Sequence, residues 1–132
     1  MASAQCGKPL KELAEPICRP VRYGKRPVRG LNPWEREDAR LLETVNRGEF
    51  TINGFRNRDL RNHLYDHPTK DIKEQRRRSA AITRKLRQLR AHGLIKKVPK
   101  THRYVLTERG REIITSLLAA RSATAEMLMK AA

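Results

Sequence analysis

Between Asp71 and His92 the chain carries Lys73, Arg76, Arg77, Arg78, Arg84, Lys85, Arg87 and Gln88, with Thr83 among them. A guanidinium holds its donors in a rigid planar fork that meets two acceptors at once, as on the O6 and N7 edge of guanine, and a Gln amide can pair in the same way with adenine. An ammonium is a point charge, suited to a phosphate oxygen. A second basic set follows: Lys96, Lys97, Lys100, His102 and Arg103. Asp71 to Arg111 holds fourteen basic and three acidic residues, whereas Leu31 to Lys70 holds seven of each. A solvated helix surface interleaves its signs, as Leu31 to Lys70 does; the downstream block lacks that interleaving.

Other constellations fall short of chemistry. His63 and His67 have the i, i+4 spacing that zinc proteases use, but Leu64 follows His63 where the catalytic Glu would stand, and Pro68 breaks the helix at once. Both are read as surface residues. Cys6 and Cys18 lack a CxxC pattern or a nearby His pair. Glu35, Glu37 and Asp38 sit in a predicted first helical turn, where the helix dipole favours carboxylates. With no Ser-His-Asp set, Gly-rich phosphate loop or paired acid site, the expectation is a non-enzyme with no cofactor and no metal.

The elements that must position the basic residues can be read from period and punctuation. Asp71 with Glu74 makes a capping-box pattern and Gly93 a stop, predicting a helix over 71–92. Ile82, Leu86 and Leu89 form its core stripe, Arg77, Ala80, Arg84, Arg87 and Gln88 lie opposite, and Arg76 and Thr83 flank them. Three consecutive arginines point three ways, so Arg77 and Arg84 are assigned to bases and Lys73, Arg76 and Lys85 to phosphates. Leu94 to Val98 and His102 to Leu106 predict a hairpin around Pro99-Lys100-Thr101, with Tyr104 and Leu106 inward.

Upstream, Asn32-Pro33-Trp34-Glu35 predicts a capped helix with Trp34, Leu41, Leu42 and Val45 on one face, ended by Gly48. Phe50-Thr51-Ile52 predicts a very short strand before the Asn53-Gly54 turn, and Asn57 caps a helix with Leu60 and Leu64 inward. Thr107 caps a last helix in which Ile113, Ile114, Leu117 and Leu118 recur at helical spacing. Residues 1–30, punctuated by Pro9, Pro16, Pro20 and Pro27 and basic throughout, predict an extended flexible arm, leaving 31–132 as one domain. The expected class is mostly α with a small β-hairpin, that is, α+β.

The 132 residues carry a formal charge of +16, a self-repulsion that a polyanion relieves. No apolar run spans a bilayer, and Met1 to Leu10 lacks the apolar stretch of a secretion signal, so no membrane partner is expected and the expected compartment is the cytoplasm, nucleoid-associated in a bacterium. There Cys6 and Cys18 stay reduced. Two Phe and one Trp, none within the basic block, argue against stacking on single strands.

The run Thr83-Arg84-Lys85-Leu86-Arg87-Gln88-Leu89-Arg90-Ala91-His92-Gly93-Leu94-Ile95-Lys96-Lys97, then Thr101 to Arg111, resembles winged helix-turn-helix regulators of the MarR and ArsR kind. The shared pattern is a helix ending Leu-x-x-Leu-x-x-x-Gly-Leu-Ile, a basic wing, and Tyr-x-Leu-Thr-x-x-Gly-Arg entering the last helix. The resemblance covers Asn32 to about Arg121 and implies a winged helix-turn-helix fold, recognition helix 71–92, wing 94–106, and sequence-selective double-stranded DNA binding in transcriptional regulation. It departs from the pattern in the loop Asp66 to Lys70, longer than a tight helix-turn-helix needs, and in lacking a distinct effector domain. A homodimer is expected through Ile114, Leu118, Leu128 and Met129 of the last helix. The alternatives are docking on structured RNA, and a nucleic-acid-binding subunit or C-terminal domain of a larger nucleoprotein or mobile-element complex.

Overall fold

The computed structural model describes residues 10–131. Helix α1 (Leu10–Cys18) leads to a hairpin of strands β1 (Val21–Tyr23) and β2 (Arg26–Val28). Three helices follow, α2 (Arg36–Val45), the short α3 (Gly48–Asn53) and α4 (Asn57–Leu64), and then the 20-residue α5 (Ile72–Ala91). A second hairpin, β3 (Ile95–Lys97) and β4 (Tyr104–Leu106), precedes the closing helix α6 (Glu108–Ala131). The chain is thus mostly helical, with two small antiparallel two-stranded sheets, in the α+β class.

One core joins these elements. Leu41, Leu42 and Val45 of α2, Leu60 of α4, Ile82, Leu86 and Leu89 of α5, and Ile114 and Leu117 of α6 are all buried together around Phe55. Phe55 pairs with Tyr104 through both backbone bonds, at 2.9 and 2.8 Å, and their rings stack at 6.2 Å between centroids. This single bridge fastens the connection between α3 and α4 to the β3–β4 hairpin. Gly54, just before it, has φ +72°, and a Cβ there would lie 2.7 Å from the Tyr104 carbonyl oxygen, so only glycine admits the approach.

The ends of α5 follow the sequence expectation closely. Asp71 accepts from the Lys73 backbone N–H at 3.0 Å, and Gly93, at φ +72°, closes a Schellman motif with Leu94 N–H on Leu89 O and Gly93 N–H on Arg90 O, both 3.0 Å. Thr107 accepts from Gly110 N–H at 2.9 Å and donates to Gly93 O at 2.7 Å, so one hydroxyl caps α6 and ties it to the end of α5. Gly110 is needed for that junction, since a Cβ would stand 2.0 Å from Leu94 O.

Several expectations are corrected. Phe50-Thr51-Ile52 lies in a helix: Phe50 N–H and Thr51 N–H both bond Arg47 O, and Ile52 is exposed. Asn32 accepts from Trp34 N–H in a turn, and α2 begins at Arg36 after Glu35, which leaves Trp34 exposed rather than on the core face. Asn57 is the first residue inside α4, where Asp59 caps by accepting Arg56 N–H at 2.8 Å.

The largest correction concerns the arm. Residues 10–30 are folded: Ala14 and Ile17 are buried, Leu31 N–H bonds Ile17 O, and α1 packs on α6. The part of the expected arm before residue 10, with Cys6 and Pro9, lies outside the described residues. Proline is compatible with β2 because the pair flanking a two-residue turn, Tyr23 and Arg26, is the hydrogen-bonded one. The next pair, Arg22 with Pro27, needs no N–H from the proline.

Candidate nucleic-acid interface

The outer side of α5 is divided along its length. From its start as far as Arg84, the residues Lys73, Arg76, Arg77, Ala80 and Arg84 are exposed. Arg77 is 82% exposed, with Glu74 at 3.8 Å as its ion-pair partner. The Lys73, Arg76 and Arg84 side chains have no hydrogen bond or ion pair among the described residues. Four cations on one helix face repel one another, so the face gains from any anion that docks on it.

Three expected site residues serve the fold instead. Arg78 turns inward, with its guanidinium 4.7 Å from the Tyr65 ring centre, a bond to His67 O at 2.6 Å and Glu74 at 3.5 Å. It fastens the loop between α4 and α5. Gln88 is only 6% exposed and donates to Arg29 O at 3.3 Å and Gly30 O at 3.2 Å, so it cannot read a base. The helical angle put it on the outer face, but the β1–β2 hairpin covers that part of the face. Arg103 donates to Asn53 O at 3.1 Å and lies over Gly54, pinning β4 to the end of α3.

The remaining site residues flank α5 on two sides. Lys85 and Arg87 are half-buried and face β2 across a cleft of about 330 Å³ that also includes Arg29 and Arg84. Thr83 turns to the other flank, where Asn57 Nδ2 donates to its hydroxyl at 3.2 Å and to Ser79 O at 3.0 Å. Lys96, Lys97, Lys100 and His102 are exposed on the β3–β4 hairpin. Lys100 occupies its tip at φ +62°, a left-handed position held by Thr101 N–H on Val98 O at 3.2 Å.

On the Thr83 flank lies a second cleft of about 390 Å³, bordered by Arg56, Asn57, Arg58 and Arg61 of the α4 entry and by His102 of the hairpin. The sequence reading missed these arginines because Leu31 to Lys70 is neutral as a whole. A local signal was available: Arg56 and Arg58 stand at the N-cap and in the first turn of a helix, where the dipole disfavours cations. Arg56 Nε, Asn57 Oδ1 and Arg61 Nε are buried without a hydrogen-bond partner. Two of the three are donors that suit an anionic oxygen.

Elsewhere, His63 is half-buried with its ring edge-on to Phe50, and among the described residues no group of three or more His, Cys, Asp or Glu could hold a metal. Among those residues no helix is long and apolar enough to cross a membrane. Burial pushes the Cys18 thiol up, so it stays protonated at neutral pH and is a poor nucleophile. The Arg40 guanidinium, bonded to Asp66 at 2.9 Å, holds that carboxyl below the usual carboxylate range. No family model, curated protein or solved structure matches the chain.

Proposed function

We propose that the chain is a winged helix-turn-helix protein that binds duplex DNA with sequence preference and acts in transcriptional regulation. The observation that carries this reading is the exposed cationic face of Lys73, Arg76, Arg77 and Arg84 on α5, in which Arg77 alone has an ion-pair partner, the Glu74 of its own helix, flanked by the basic β3–β4 hairpin. An α-helix with its side chains is about 10–12 Å across and the major groove about 12 Å wide, so this face enters a groove and Arg77 reaches base edges. The order α2, the Phe55 bridge, α4, α5, β3–β4 supports the assignment, with α5 as recognition helix and the hairpin as wing.

The cleft at the α4 entry then meets one phosphate strand through Arg56, Arg58 and Arg61, and Lys96, Lys97 and Lys100 follow the backbone beside it. This is binding rather than catalysis. A homodimer through the exposed end of α6 would pair two such faces on a twofold site. Ile114 is already buried in the chain's own core and Leu118 is partly buried against it, so of the four residues expected there Leu128 and Met129 are the two exposed to a partner.

Selection from a random duplex pool, followed by titration of the selected duplex, a scrambled duplex and an RNA stem of equal length, tests the reading. The selected duplex is expected to bind roughly a thousandfold tighter than the scrambled one at physiological salt. Equal affinity for both duplexes, or tighter binding of the RNA stem, would refute it.

A further inference from the structure

We propose that the β1–β2 hairpin is a second wing, and that the cleft between it and α5 seats the duplex backbone on the flank of α5 away from β3–β4. The inference rests on the duplex-binding reading above and adds a contact surface to it. The two flanks are distinct. The α4-side cleft is bordered on α5 by Ser79, Thr83 and Leu86, and the hairpin-side cleft by Ala81, Arg84, Lys85 and Gln88. At about 100° per residue these sets point to opposite sides of the helix.

Charge identifies what the hairpin surface fits. Pro16 to Trp34 contains no acidic residue. Arg22, Lys25 and Arg26 are exposed around the turn and have no ion pair among the described residues. The cleft beneath adds Arg84, Lys85 and Arg87 with no carboxylate among its lining residues, while Arg29 at its edge is neutralised by the buried Asp38. Six mutually repelling cations along one ridge form a track for a polyanion, and the apolar Pro27 and Val28 between them can pack on sugar faces.

The hairpin is also held in place before any ligand arrives. Gln88 and His92 both bond Arg29 O, the latter at 2.9 Å, and Arg29 bonds both oxygens of Asp38 at 3.1 and 3.3 Å. The Arg90 guanidinium lies 5.7 Å from the Tyr23 ring centre and 6.0 Å from that of Tyr104, so one cation links the two hairpins at the end of α5. The bracing contacts are made by Tyr23 and by residues 29–31. The tip, with Gly24 at φ +64° and Lys25, projects its charges beyond those contacts. A fixed hairpin binds without the ordering cost that a loose arm would carry.

The test compares the full chain with a variant carrying Arg22→Ser, Lys25→Ser and Arg26→Ser, titrated against the selected duplex over a range of salt, with hydroxyl-radical footprinting. Losing three phosphate contacts is expected to make the log affinity against log salt slope shallower by about 2.7, and to remove protection from one flank of the footprint. Lys25→Ser alone, at an exposed turn, is expected to change the slope by about 0.9 and serves if the triple variant misfolds. Slopes and footprints equal to wild type in a folded variant, with wild type binding duplex normally, overturn the second wing and leave the duplex reading standing. A wild-type chain that binds no duplex removes both.

Discussion

Replacing Arg77 by alanine separates base reading from charge. Its side chain is 82% exposed and its Glu74 partner stands 3.8 Å away across one helical turn. A surface pair of that kind is worth about 0.2 to 0.5 kcal/mol, so the unfolding midpoint should barely move. On the selected duplex the loss is a bidentate base contact, about 1 to 3 kcal/mol, or roughly 5- to 150-fold in affinity. On a scrambled duplex Arg77 counts as one cation near a phosphate strand, and the loss is far smaller. The ratio of selected to scrambled affinity, read by fluorescence anisotropy at one fixed salt, should therefore fall by nearly the whole factor. Lys100→Ala, at the tip of the β3–β4 hairpin, should weaken both duplexes alike and reduce the salt slope by about 0.9. If Arg77→Ala lowers both affinities equally and leaves the ratio intact, α5 is an electrostatic platform. The reading as a subunit of a larger nucleoprotein complex would then replace the regulator.

Three further outcomes are expected. Asp38→Ala removes a fully buried carboxylate that accepts from the Arg29 guanidinium and from Asn32 N–H; it should destabilise by about 3 kcal/mol in urea unfolding and speed proteolysis within residues 19–30, and an unchanged midpoint would refute this anchoring of the hairpin. Gly110→Ala drives a Cβ to 2.0 Å from Leu94 O and should cost about 3 kcal/mol by thermal melting, whereas a wild-type melt would contradict the α5–α6 junction. Leu128→Ser with Met129→Ser should convert the proposed dimer to a monomer in sedimentation at tens-of-micromolar concentration; a wild-type monomer with and without DNA would remove the dimer from the proposal.

The parts of the fold legible in the sequence are those whose signal is local. Asp71 and Gly93 bracket α5 because a side-chain cap and a left-handed glycine are decided within a few residues. The β3–β4 hairpin follows from short alternating segments around Pro99-Lys100-Thr101. Residues 10–30 were illegible for the opposite reason. Their prolines and charges mimic an unfolded segment, and what folds them is distant: Ile17 O meets Leu31 N–H, and Arg29 O meets Gln88 and His92. A fainter sign was present in Val21-Arg22-Tyr23-Gly24-Lys25-Arg26-Pro27-Val28, where glycine opens a two-residue turn between matched apolar ends.

The same distance dependence explains which of the expected site residues stay exposed. A helical angle separates core from surface only when nothing else packs on the surface, and on α5 that holds as far as Arg84. Up to there Lys73, Arg76, Arg77 and Arg84 remain exposed, while beyond it Gln88 and the C-cap His92 are consumed by the hairpin. The fold takes what it needs from other cations: Arg29, Arg40, Arg78 and Arg121 each bond a carboxylate or a backbone carbonyl across the chain. Further cations without an ion pair among the described residues stand on α5, at the α4 entry and on the two hairpins. Repulsion within such a set opposes folding, and a polyanion docked on it, as proposed above, would relieve that cost.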